Sequence, residues 1–202
     1  VYLFTLSRFP SISPRRGEQI YTFFITGYLP SLITNLTGSD RVAEAARMLG
    51  LDLVVNLQGD EPLVEPSVLS DVAHELSLHP DCWVTVACPL NPAESTLETV
   101  VKVRVEGDLA VDFTRNVAPA DAPRWFQHQG IYAYSRVSRD EFASLPQNAV
   151  EKERSLEQMR ILGRRPIRIV RSPYPSVSVD VPSDAGTVEA LIEKEMINRG
   201  SR

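Results

Sequence analysis

The chain has 202 residues, 43% of them hydrophobic, enough for one sizeable core or a core with a small appended lobe. Its net charge of −5 excludes the basic footprint of a nucleic-acid binder. Its two cysteines are too few and too widely spaced for a disulfide framework or a zinc site, no apolar run is long enough to span a membrane, and with no cleavable signal pattern the setting reads as cytoplasmic.

Residues 1–36 form an atypical N-terminal segment in which Pro10, Pro14 and Pro30 interrupt an aromatic-rich stretch, leaving Leu3–Leu6 and Tyr21–Ile25 as candidate strands. The pattern sharpens over residues 37–202, which read as a single α/β domain. Ser39 is placed to cap a helix with Val42, Ala43, Ala46 and Leu49 on its inner face, and Gly50 ends it. The organising stretch follows. Leu53, Val54, Val55 and Leu57 have the apolar, β-branched character of a strand buried on both faces, and the run stops at Gln58-Gly59-Asp60-Glu61-Pro62. Pro66 then opens an amphipathic helix through Leu76. Ligands of open α/β sheets bind at the end of such a strand, and Asp60 and Glu61 stand there as carboxylates able to hold a hard cation, or else as solvated turn residues.

Trp83–Ala87 reads as the next strand, and Asn91-Pro92 as the start of a helical turn. Val100–Val105 and Leu109–Thr114 alternate around Glu106-Gly107-Asp108, a hairpin that makes the sheet mixed. One face of this ribbon is apolar, to be covered either by the domain's own core or by a second subunit. Residues 115–127 read as a loop, Gln129–Tyr134 as a strand, and Phe142–Leu145 as a short helix ended by Pro146. Val150–Leu162 reads as one helix carrying Glu157 and Gln158. Strands at Ile167–Val170 and Val177–Val179 follow, then a last helix capped by Ser183. The cluster Arg164, Arg165, Arg168, Arg171 fits a solvated strand face better than a binding patch, and His74 and His79 read as surface residues.

Six motifs occur in order: Thr37-Gly38-Ser39-Asp40-Arg41; Val54 to Pro62; Thr114-Arg115; His128-Gln129-Gly130-Ile131-Tyr132-Ala133-Tyr134; Leu156-Glu157-Gln158-Met159-Arg160; and Val179-Asp180-Val181-Pro182-Ser183-Asp184. Together they resemble the CMP-KDO synthetases (3-deoxy-manno-octulosonate cytidylyltransferases). The resemblance implies a Rossmann-like nucleotide-diphospho-sugar transferase fold, and transfer from CTP to KDO giving CMP-KDO and pyrophosphate for lipopolysaccharide synthesis, with Mg²⁺ required and a homodimer as the assembly. It implies Asp60 and Asp180 as metal carboxylates, and Gln58 and Gly59 near the nucleotide. Thr37, Gly38, Ser39 and Arg41 would lie on the cytidine part, and Arg115, His128, Tyr132, Glu157 and Gln158 around the sugar. Asp60, Asp180 and Arg115 are the expected catalytic set. The family's triphosphate-wrapping loop has no spacing match before Thr37, so the first βαβ unit reads as incomplete. The rival expectation is an inactive sugar-binding or dimerisation module.

Overall fold

The computed structural model describes residues 3–8, 20–26, 37–174, 179, 185–186 and 188–193. Among these, eight strands build one mixed sheet: β1 (Leu3–Arg8), β2 (Ile20–Thr26), β3 (Leu53–Leu57), β4 (Trp83–Pro89), β5 (Lys102–Glu106), β6 (Leu109–Thr114), β7 (Trp125–Ser135) and β8 (Ile167–Arg171). Their order across the sheet is β1-β2-β3-β7-β4-β8-β6-β5, and β5 also pairs with β7. β2 runs parallel to β3 and β4 to β8, while β7 runs antiparallel between β3 and β4. This is the expected mixed α/β architecture.

Four α-helices lie wholly within the described residues, α1 (Gly38–Met48), α2 (Pro66–Leu78), α3 (Arg136–Ser144) and α4 (Ala149–Arg154), and the first three pack on the sheet. β3 is buried along its whole length, and its alternate side chains feed two cores. Val54 points to the layer that holds Val42 and Ala46 of α1, Phe142 of α3, Trp83 and Phe113. Leu53, Val55 and Leu57 point to the opposite layer, against Val68, Leu69, Val72 and Leu76 of α2. Burial on both faces is why this run is continuous in apolar residues instead of alternating. Pro66 occupies the first turn of α2, where its missing N–H costs nothing.

Three sequence expectations need correction. Thr37, not Ser39, caps α1: its hydroxyl accepts from Asp40 N–H, and the Asp40 carboxylate returns to Thr37 N–H in a capping box. Val150–Leu162 is not one helix. α4 ends at Ser155, which turns left-handed (φ 51°), and Glu157–Arg160 form a separate 3-10 turn. β7 starts at Trp125, so the end of the expected loop 115–127 is strand. Lys102, which the ribbon's alternation sets opposite Val101, Val103 and Val105, is fully buried.

The ribbon's apolar side is met by the domain itself, since Val103 and Phe113 are completely buried in the α1 and α3 layer. Gly107 supplies the positive φ that its turn needs (60°). The arginine cluster is a paired surface: Arg165 meets Glu141, Arg168 meets Glu75 and Asp108, and Arg171 lies 4.4 Å over the Phe126 ring. His74 is exposed and His79 half-buried beside Glu75, as expected for surface residues. Most of the strand expected at Val177–Val179, and the Ser183 cap, lie outside the described residues; 185–186 and 188–193 are helical.

Candidate active site

The site grows from the C-terminal end of β3. Gln58 N–H donates to Gly130 O (3.3 Å), Glu61 N–H to Gln58 O (3.2 Å), and Gly130 N–H to Glu61 Oε1 (3.2 Å). The turn is thereby fastened to β7, and Glu61 acts as the fastening. Opposite, β7 carries a bulge at the Thr85/Val86 step of β4, a device that re-aims side chains beside a site. Glycine at 130 leaves room for the Gln58 side chain, because a Cβ would fall 3.0 Å from Gln58 Cδ and nearer still to its Oε1.

Two cavities open at this turn. The larger, about 560 Å³, is lined by Thr37, Arg115, His128, Tyr132, Glu157 and Gln158 among others. The smaller, about 300 Å³, is lined by Gly38, Arg41, Val42, Asn56, Leu57 and Gly59. Gln58 and Asp60 line both. Every described residue expected at the site therefore borders one cavity or the other, except Ser39, which is buried behind the wall.

Ser39 is nonetheless tied to the site. Its N–H donates to Glu157 Oε2 (2.9 Å) and its hydroxyl to Glu157 Oε1 (2.8 Å), so a carboxylate 118 residues away completes the N-terminus of α1. That placement is favourable, since the first-turn N–H groups lack partners and the helix dipole attracts negative charge. Arg160 makes a second tie. Buried to 3% exposure, it reaches both Asp40 oxygens (2.8 and 3.1 Å) and both Glu151 oxygens (2.8 and 2.6 Å), with its guanidinium 4.1 Å over the Phe142 ring. The α1 N-terminus and the Glu157–Arg160 turn thus form one hydrogen-bonded wall between the cavities. Sequence reasoning quoted Arg160 within a motif but gave it no role.

On the far wall, Arg115 commits three N–H groups to main-chain oxygens: those of Glu98 (2.8 Å), Arg154 (3.2 Å) and Ser155 (3.2 Å). Beneath it, the Lys102 ammonium donates to Leu97 O (2.5 Å) and Arg115 O (2.7 Å), and burial holds its pKa below the ordinary lysine value. Arg115 is therefore a braced cation at the cavity edge. Tyr132 is 3% exposed, and burial keeps its phenol neutral by raising its pKa. His128 packs edge-on against Phe113 (5.3 Å between ring centres) and beside Tyr132 (5.4 Å); burial pushes its pKa down to about 3. Gln147, Glu151 and Lys152 also border the larger cavity and went unnoticed in the sequence. The one local signal was Asn148, whose side chain caps α4 by accepting from Glu151 N–H (2.8 Å).

The larger cavity's lining has four carboxylates (Asp60, Glu61, Glu151, Glu157) against two cations (Arg115, Lys152). Glu151 and Glu157 are engaged by Arg160 and α1, and Glu61 by Gly130; Asp60 places a carboxylate, a hard oxygen donor, at the junction of the two cavities. Mg²⁺ binds through one or two carboxylates plus substrate oxygens, so this donor chemistry fits it. Asp180 lies outside the described residues. Its neighbour Val179 donates its N–H to Asp60 O (2.9 Å).

Comparison with known proteins agrees with this arrangement. The family model described as cytidylyltransferase matches residues 34–166. The chain is 41% identical over 167 residues to a 3-deoxy-manno-octulosonate cytidylyltransferase of Anaeromyxobacter sp. (strain Fw109-5), covering 77% of this chain and 67% of the relative. It is 36% identical over 190 residues to that of Desulfosudis oleivorans, covering 88% and 77%. Among solved structures it is similar to CMP:2-keto-3-deoxy-manno-octonic acid synthetase complexed with CTP, with a TM-score of 0.72, 30% identity, and coverage of 80% of this chain and 70% of that one. Apo-UDP-glucose pyrophosphorylase, at 14% identity and a TM-score of 0.57 over 81% and 62% of the two chains, shares the fold alone. With a family model over residues 34–166 and relatives at 36–41% identity over most of its length, the chain belongs to the 3-deoxy-manno-octulosonate cytidylyltransferases.

Proposed function

We propose that the protein transfers the cytidylyl group of CTP to KDO, giving CMP-KDO and pyrophosphate. The observation that carries this reading is that Gln58 and Asp60 line both cavities, so one carboxylate stands where two bound substrates meet. The smaller cavity, between Gly38, Arg41 and Gly59, takes the nucleotide. The larger, rich in buried hydrogen-bonding groups, takes the polyhydroxylated sugar acid.

In the reaction a sugar hydroxyl oxygen bonds to the α-phosphorus, the bond from that phosphorus to the β-phosphate's bridging oxygen breaks, and pyrophosphate leaves. The hydroxyl proton passes to solvent. No covalent intermediate with the protein is needed, because such transfers depend chiefly on alignment and charge stabilisation. Asp60 and Asp180 would hold Mg²⁺, which offsets phosphate charge that the acidic lining cannot offset itself. Arg115, braced by Lys102, presents a fixed positive charge to the larger cavity. The wall built from Glu157, Ser39, Asp40 and Arg160 keeps the two cavities in register. The cytoplasm is the compartment we assign, since the reaction consumes a nucleoside triphosphate.

We also propose a homodimer. Its surface excludes the valine face of the β5–β6 ribbon, because Val103 and Phe113 are already buried within the subunit. Sedimentation at micromolar concentration tests the assembly, and a monomer there would contradict it. The activity is tested by pyrophosphate release with CTP, Mg²⁺ and KDO; release with sialic acid and none with KDO would overturn the substrate.

A further inference from the structure

A buried threonine behind the lining of the larger cavity fixes the chemistry of His128. The Thr85 hydroxyl lies 2.7 Å from Ile131 O and 2.8 Å from His128 Nε2. Thr85 is fully buried on β4 at the bulge, and His128 is 8% exposed. A main-chain carbonyl can only accept, so the single Thr85 hydroxyl proton points to Ile131 O. The Thr85 oxygen then faces Nε2 with lone pairs alone, and Nε2 must carry the ring proton.

We propose that Thr85 is a positioning residue that holds His128 as its Nε2–H tautomer, making the ring a hydrogen-bond acceptor that selects a sugar hydroxyl. The remaining nitrogen, Nδ1, has a lone pair and no proton, so it accepts from a hydroxyl and offers nothing to a carboxylate or phosphate. Phe113 edge-on and Tyr132 alongside hold the ring plane. The sugar's carboxylate is accordingly directed away from His128, towards the Arg115 side of the cavity. This inference deepens the sugar-site reading given above and rests on it.

The chain has three histidines, so the tautomer is directly readable from the nitrogen spectrum of histidine-labelled protein at neutral pH. The wild type is expected to show one ring protonated at Nε2 and bare at Nδ1. Thr85→Val, close in shape but without the hydroxyl, should populate the other tautomer. It should raise KM for KDO about tenfold with KM for CTP unchanged, and Thr85→Ser should restore both. A His128 ring carrying its proton on Nδ1, or doubly protonated, overturns the proposal even if Thr85→Val does not fold. So does a folded Thr85→Val enzyme with unchanged KM for KDO, or one whose two KM values rise together. If the wild type shows the Nε2–H ring but no turnover of CTP and KDO, the activity reading fails while the tautomer stands.

Discussion

Replacing Arg160 with methionine keeps much of the side chain's apolar stem and removes its charge. In the native fold that charge sits between Asp40 and Glu151 at 3% exposure, through four hydrogen bonds of 2.6–3.1 Å. The Glu151 side chain is only 2% accessible and that of Asp40 11%, so water cannot take over the lost partner. Breaking a buried ion pair by deleting one member costs about 3–5 kcal/mol, because the other charge is left desolvated. Single domains are stable by only about 5–15 kcal/mol, so Arg160→Met should consume a large part of the total. The double variant Arg160→Met/Glu151→Gln should recover part of the loss, since one stranded charge goes with its partner. Urea unfolding of the wild type, both single variants and the double variant provides the cycle. A loss below about 1 kcal/mol for Arg160→Met would refute the reasoning, as would a double variant that is strictly additive.

Asp60→Asn and Asp180→Asn should each abolish turnover with little change in thermal midpoint, because in the proposed reaction both carboxylates would hold the cation; unfolding by either variant would reassign that residue as structural. Gly130→Ala should displace the Gln58 side chain, raising KM for CTP while leaving the fold intact by circular dichroism, and unchanged kinetics would contradict the close contact. Burial lowers the His128 pKa from 6.5 to about 3, so the unfolded chain binds a proton in that window that the folded one refuses. The resulting stability is fully present above about pH 6.5 and is lost as pH falls towards 3, and His128→Asn should flatten this slope in urea titrations.

Much of the site was readable because its parts are local. The buried run of β3 ending in Gln58-Gly59-Asp60 has a continuous apolar signature, and the hairpin around Gly107 has its own turn chemistry. What escaped depends on contacts between distant segments. Glu157 caps α1 across 118 residues, and Arg160 meets Asp40 across 120; no periodicity carries such pairings. Lys102 shares an alternating strand with Arg104, so pattern alone turns both outward. Burial follows from two separate segments, one carrying Leu97 ahead of β5 and one carrying Arg115 after β6, which both supply carbonyls for the ammonium. The helical pattern of 150–162 continues through Ser155, whose left-handed backbone lets the chain turn and present Glu157 to α1.

The central claim is that one carboxylate junction brings CTP and KDO together, and the direct test is pyrophosphate release measured with each substrate alone and with both. The account predicts release only when CTP, KDO and Mg²⁺ are all present, and its disappearance in Asp60→Asn. Binding of KDO with no release and no uptake of CTP, even in excess Mg²⁺, would contradict it and leave the chain a sugar-binding relative of its family.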